Sequence, residues 1–97
     1  MRRYFSHYTF IYPEIYLKNY IVEVDDQSCI TAVFPYSKEI EKTEFYSGWI
    51  MFIPQDIKEH LIKKPNEISD IEFKTLDEYK TDLTILSRTS YRVLIND

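Results

Sequence analysis

The chain holds a single glycine, Gly48, among 97 residues. That excludes a glycine-rich phosphate loop and a dinucleotide fingerprint, both of which need several glycines where the backbone meets phosphate. It holds a single cysteine, Cys29, so no internal disulfide can form and a reducing cytoplasm is the expected compartment. Histidine is nearly as sparse. His7, Cys29 and His60 are the only soft or imidazole ligands, and no two of them stand at a metal-site spacing. No apolar run approaches the roughly 20 residues that cross a bilayer. The first residues, interrupted by Tyr, Ser and His, lack the h-region of a signal peptide. Positive charge is also short, with 12 Lys+Arg against 16 Asp+Glu and a net charge of −4. Nucleic acid and anionic membranes are therefore disfavoured as partners, since both reward basic surfaces.

Aromatic residues are what the chain has in excess, at 16% with nine tyrosines and six phenylalanines. Tyrosine recurs every fourth residue, at Tyr4, Tyr8, Tyr12, Tyr16 and Tyr20. On a helix that step drifts by about 40° each time, and Pro13 would break the middle turn. Phe5, Phe10, Ile11, Ile15 and Leu17 would also make such a helix apolar all round. In a strand, an even spacing keeps side chains on one face, which predicts Tyr4, Tyr8 and Tyr12 aligned with Phe10 between them. Two strands are predicted, about 2–12 and 16–25, with Pro13-Glu14 opening the turn. The five tyrosines make a sheet face that is either core or a possible binding face.

Asp25-Asp26-Gln27-Ser28 reads as a turn, and CITAVF (29–34) as a third strand ended by Pro35. SKEIEKTE (37–44) is a charged loop or one helical turn. FYSGWIMFI (45–53) is the most apolar run and predicts a buried central strand. Pro54-Gln55-Asp56 opens a short helix to Lys64 with Ile57, Leu61 and His60 inward. A loop follows over 65–74, with a short strand allowed at 71–73. Thr75-Leu76-Asp77-Glu78 has the form of a capping box. Two last strands are predicted, DLTILS (82–87) and YRVLI (91–95). The expected class is mostly β (α+β): a small β-sandwich or partly open barrel with one or two short helices, in a single domain over 1–97.

Candidate chemistry is thin. No local group activates Cys29 as a nucleophile. No serine lies in a nucleophile elbow. Asp25-Asp26 serves the turn, while Glu39, Glu41 and Glu44 form a solvated stretch. His7 reads as a strand residue, Cys29 as a small core hydrophobe, and His60 as a helix-face residue. These residues imply no catalytic set, no metal site and no cofactor.

The order of pieces resembles the amidohydrolase superfamily in its cytosine- and guanine-deaminase-like branch. "LKNYIVEVDD" is similar to that family's "ik-N-g-i-V-x-v-D-d" stretch, and "FYSGWIMFIP" to its "y-x-G-x-i-x-P-G" stretch as far as Pro54. The tail, from "KKPNEI" through "DLTILSRTSYRVLIND", is similar to the family's C-terminal return into the small β domain. The resemblance covers about four-fifths of the chain. In the family, glycine and a His-x-His metal pair follow the proline and open a (β/α)₈ barrel. Here Pro54 is followed by "QDIKEHLIKK", and a barrel of about 250 residues has no room. The resemblance therefore implies the composite β domain without metal ligands or hydrolase activity. Three functions stay open: a non-catalytic module binding a protein (with a homodimer as one form) or a ligand, a small enzyme with a Tyr/His/carboxylate site, and an OB-like single-stranded nucleic-acid binder.

Overall fold

Aromatic and β-branched residues crowd into 2–11, 15–24, 30–35, 43–54 and 91–96, and these stretches build the sheet. The computed structural model describes residues 1–12, 14–38, 42–58, 72–79 and 83–96. Among the described residues, five strands lie in one mixed sheet: β1 (Arg2–Ile11), β2 (Ile15–Val24), β3 (Ile30–Pro35), β4 (Thr43–Pro54) and β5 (Tyr91–Asn96), in the order β3-β2-β1-β4-β5. All neighbours are antiparallel except β1 and β4, which run parallel. The sheet is not closed into a barrel. Its two edges nevertheless meet at one end, where Cys29 and Ser90 form an isolated bridge and the Tyr91 amide donates to the Ser28 carbonyl at 2.8 Å. The mostly β class expected from the sequence is the class observed.

Each face carries its own apolar cluster. The first holds Tyr4, Leu17, Tyr20, Val22, Ile50 and Phe52, together with Leu86 and Tyr91. The second holds Phe10, Trp49, Met51 and Ile53, with Tyr8, Tyr12, Tyr16 and Phe73 packed against it. Tyr4 and Tyr8 thus lie on opposite faces, against the single aligned stripe that even spacing predicts. The reason is a phase shift that crosses three strands. In β1 and β2, Ser6 pairs with Tyr20 and Tyr8 with Lys18, the regular pairing is interrupted at His7 and Asn19, and Asn19 has a left-handed φ of 59°. At the same level β4 places two residues, Ser47 and Gly48, against His7 alone. Such a bulge bends a strand and restarts its alternation on the other face. Ser6 and Thr9 flank the shift on the first face, both fully buried, and their hydroxyls satisfy each other at 2.9 Å. Tyr8, Phe10 and Tyr12 do share one face. Tyr4 and Tyr20 do not join it.

The segment predicted as a strand over 82–87 is a helix, α1 (Leu83–Arg88). Its alternation is too short to decide between periods. Leu86 enters the core at 4% exposure, whereas Ile85 stays 63% exposed. Hydroxyls after the core contact settle the helical form: Ser87 donates to the Thr84 carbonyl and Thr89 to that of Ile85. The capping-box segment forms one 3-10 turn, Leu76–Tyr79, and Glu72-Phe73 is not a strand. Gln55–Ile57 is a turn, with the Ile57 amide on the Pro54 carbonyl. The remainder of the predicted helix to Lys64, with His60, lies outside the described residues.

The β2–β3 turn is built as its side chains suggest. One Asp25 carboxylate oxygen accepts the amides of Gln27 and Cys29, both at 2.9 Å. Ser28 then takes a φ of 64°, a region that disfavours any residue with a Cβ. Replacing Ser28 with glycine removes that penalty and adds the larger unfolded-state entropy of glycine, for a net gain of about 0.5 kcal/mol. Ser28→Val is expected to lose about 1–2 kcal/mol at the same position. Urea denaturation of the two variants checks the opposite signs.

Candidate functional site

Two surfaces gather side chains able to bind something. The first is a row of apolar residues on the second face, set by strand register. Phe45 pairs with Phe5, Phe5 with Ile21, and Ile21 with Phe34, so the row runs across β4, β1, β2 and β3. Tyr36, whose amide bonds the Asn19 carbonyl, brings its ring to 4.9 Å from Phe5 and 6.5 Å from Phe45. His7 stands edge-on to Phe5 at 5.7 Å. Ile21 is buried, but Tyr36 and Phe45 are 40% and 49% exposed.

The second surface is a cleft of about 490 Å³ at the end where the sheet edges meet. Its walls are Tyr4 and Val24 on one side, Tyr91 and Val93 on the other. Arg2 supplies positive charge, Asp25 and Asp26 negative charge, and Ser28 and Gln55 neutral polar groups, while Arg92 lines the cleft from β5 with its side chain on the second face beside Ile53. Several of these are already engaged. Arg2 makes a two-point pair with Glu44, at 3.0 and 2.8 Å, and lies over the Tyr4 ring at 5.0 Å. The hydrogen bond from Arg2 holds the Glu44 carboxyl below its ordinary range and raises the guanidinium in turn. Asp26 reaches the N-terminal ammonium at 3.3 Å. Burial pushes the Tyr4 and Tyr91 phenols up, and the Arg2 charge opposes this at Tyr4. Both tyrosines stay protonated at neutral pH, so they serve as hydrogen-bonding walls rather than bases.

His7 and Cys29 do not converge, and His60 lies outside the described residues. His7 is exposed, with Nδ1 at 3.1 Å from Asn19 Oδ1. Cys29 is buried beside the Asp25 turn, and Val24, next to that turn, pairs with Arg2. His7 lies five strand residues from Arg2, or about 16 Å by strand rise. No group of three His, Cys, Asp or Glu side chains suited to a metal occurs among the described residues. Of the five tyrosines, Tyr4 and Tyr20 are core at 4% and 7% exposure, and only Tyr4 reaches the cleft. Tyr8, Tyr12 and Tyr16 are half-buried, with Tyr8 5.4 Å from Trp49 and 5.6 Å from Phe73, and Tyr16 5.0 Å from Phe10.

Tyr91, Arg92 and Gln55 carry no mark in the sequence that would single them out. They meet Arg2 and Asp25 only because β4 and β5 pair as Pro54↔Tyr91 at the level where β2 ends. No helix among the described residues is long and apolar enough to cross a membrane. Compared with protein-family models, curated proteins and solved structures, the chain matches none.

Proposed function

We propose that the chain is a non-catalytic β domain of the amidohydrolase composite type, acting as a protein-interaction module that pairs with a second copy of itself. The path of the chain supports the composite-domain part. It leaves the sheet at Pro54 and re-enters at Tyr91, directly opposite, with the Gln55 amide on the Ser90 carbonyl at 3.0 Å. A sheet left and rejoined at one point suits a domain built from two terminal segments around an insertion.

The observation that carries the interaction reading is the aromatic row. It ends at β3, an edge strand of the sheet, and Tyr36 and Phe45 project exposed rings from it. An edge strand offers unpaired backbone groups to another chain. Two copies meeting at β3 about a two-fold axis would join their sheets and bring two aromatic rows together, the commonest symmetry for a soluble oligomer. Aromatic rings are also the residues that anchor protein interfaces.

Light scattering at micromolar concentration tests this, with twice the 11.8 kDa chain mass expected. Phe45→Glu is chosen because the residue is half exposed and its loss spares the core. It is expected to weaken the dimer by about tenfold or more, the cost of one interface anchor. A single-chain mass for the wild type across about a hundredfold dilution overturns self-pairing. A Phe45→Glu dimer as tight as the wild type overturns the assigned surface.

A further inference from the structure

Strand β5 leaves most of one side of its backbone unused. The Tyr91 amide turns away from β4 to the Ser28 carbonyl, while the Ser90 carbonyl accepts the Gln55 amide at the end of β4. Backbone groups alternate sides along a strand, so those of Arg92 and Leu94 face β4, and those of Val93 and Ile95 face outward. The Tyr91 carbonyl is satisfied by the Gln55 side chain. Beyond it, no described residue bonds the outward groups of Val93 or Ile95, and no described strand except β4 pairs with β5. Edges of this kind are commonly blunted by proline or charge. Val93-Leu94-Ile95 carries neither, and Ile95 is exposed.

The cleft runs along this edge. Val93 and Ile95 pair with Phe52 and Ile50, which puts their side chains on the first face. Val93 is one wall of the cleft, with Tyr4 and Val24 facing it. The volume of about 490 Å³ therefore opens beside the free backbone and ends where Ser28 meets Tyr91. Its uncompensated charge is negative. One Asp25 oxygen accepts the Gln27 and Cys29 amides, but no described cation pairs with that carboxylate. Arg2 is neutralised by Glu44 at two points. Arg92 points to the second face, held at the Gln55 and Ile57 carbonyls.

We infer that the free edge of β5 docks an extended, basic segment of another protein, which adds as a sixth strand. Its backbone bonds Val93 and Ile95, an apolar side chain enters the cleft, and a lysine or arginine meets Asp25. Main-chain bonds give attachment in strand addition, and pockets for alternate side chains give selectivity. The basic character follows from charge, since a cation gains the unpaired carboxylate and meets no free cation on that face. A second copy fits less well, because its own β5 offers only Arg92, already engaged. The inference does not rest on self-pairing, which uses β3, the opposite edge.

The probe is the blocked peptide acetyl-RVTVTVR-amide, basic at both ends so that either strand direction brings a cation to Asp25. Main-chain bonding is indifferent to sequence, so a generic strand former suffices. Titration of the wild-type protein is expected to give saturable amide shifts at residues 24–28 and 93–95. Hydrogen exchange is expected to slow at the Val93 and Ile95 amides. Two further peptides carry N-methyl groups on the valines or on the threonines. Only alternate residues of a strand face one neighbour, so one version should bind like the parent and the other about tenfold weaker or more. Acetyl-EVTVTVE-amide is expected to bind about tenfold weaker than the parent, a gap that closes in Asp25→Asn. Absence of saturable shifts up to about 10 mM parent peptide overturns the docking edge, as do methylated versions of equal affinity. Equal affinity of the acidic and basic peptides, or a gap unchanged in Asp25→Asn, overturns the charge contact. Protection of the Val93 and Ile95 amides without peptide, lost on dilution, would put a second copy at the edge and overturn the peptide. All but one of these readings use the wild type, so they decide the matter even where Asp25→Asn fails to fold.

Discussion

Replacing Phe52 with alanine is expected to cost about 3–5 kcal/mol, the range for emptying a fully buried phenylalanine site. Phe52 has no exposed surface and lies in β4, paired to Ile11 of β1 on one side and Val93 of β5 on the other. Its ring meets Tyr4 edge-on at 5.9 Å, and its carbonyl accepts the Tyr12 amide, so the backbone there has little freedom to collapse into the void. A domain of this length has a total stability of about 5–15 kcal/mol, so the variant stands near its unfolding threshold. Phe45→Ala supplies the contrast within the same strand. Being 49% exposed, Phe45 is expected to cost under about 1 kcal/mol. Urea denaturation of both proteins reads the difference directly. Equal losses would mean that β4 is not buried asymmetrically along its length, and the two-cluster core described above would fail.

That contrast also marks what the sequence could and could not convey. The apolar run at 45–53 predicts a central strand, and β4 does lie between two neighbours. The strands at 2–12, 16–25, 29–34 and 91–95 appear within a residue or two of their expected bounds, because aromatic and β-branched residues crowd into short runs between turn formers. Pairing order was not legible. Nothing local states that β1 takes β4 as a parallel neighbour, or that Cys29 and Ser90 touch. The phase shift left faint traces only. Asn19 is a residue that tolerates positive φ, and the lone Gly48 sits at the bulge, but either reads equally well as an ordinary strand position.

The cleft was less legible than the fold, for the same physical reason. Arg2 and Asp25 lie at the start and end of one hairpin, whereas Gln55 and Arg92 come from a different pair of strands. Only the curl of the sheet makes them neighbours. The tyrosine repeat, by contrast, was conspicuous and served mainly structure. Its members split between two faces because one residue in each of β1 and β2 interrupts the alternation.

One tyrosine outside that repeat is expected to matter more than most of those within it. β3 pairs with β2 from Tyr20 to Val24, and before Tyr20 the described residues reach the β2 backbone on that side only singly, the Tyr36 amide at the Asn19 carbonyl and the Lys74 amide at the Tyr16 carbonyl. Tyr79, in the 3-10 turn, adds two bonds there with one hydroxyl. It accepts the Tyr16 amide at 3.0 Å and donates to the Tyr16 carbonyl at 2.9 Å, the two bonds that a neighbouring strand residue would make. Nearby the Tyr20 hydroxyl accepts the Leu76 amide at 3.1 Å, so two phenols fasten the turn to β2. Tyr79→Phe keeps the ring, and the Lys74 ammonium over it, but strands the Tyr16 amide and leaves the Tyr16 carbonyl with only the long contact from the Lys74 amide at 3.5 Å. A part-buried donor and acceptor losing one shared partner is expected to cost about 1–3 kcal/mol. Tyr36→Phe, at an exposed ring, is expected to cost under about 0.5 kcal/mol and controls for loss of a phenol as such. Hydrogen exchange adds a local readout: the Tyr16 amide should lose protection in Tyr79→Phe by more than the amides of β1 and β4 do. Uniform loss of protection across the sheet would show instead that the phenol acts through global stability, and equal denaturation midpoints for Tyr79→Phe and Tyr36→Phe would show that water replaces the hydroxyl at that edge without penalty.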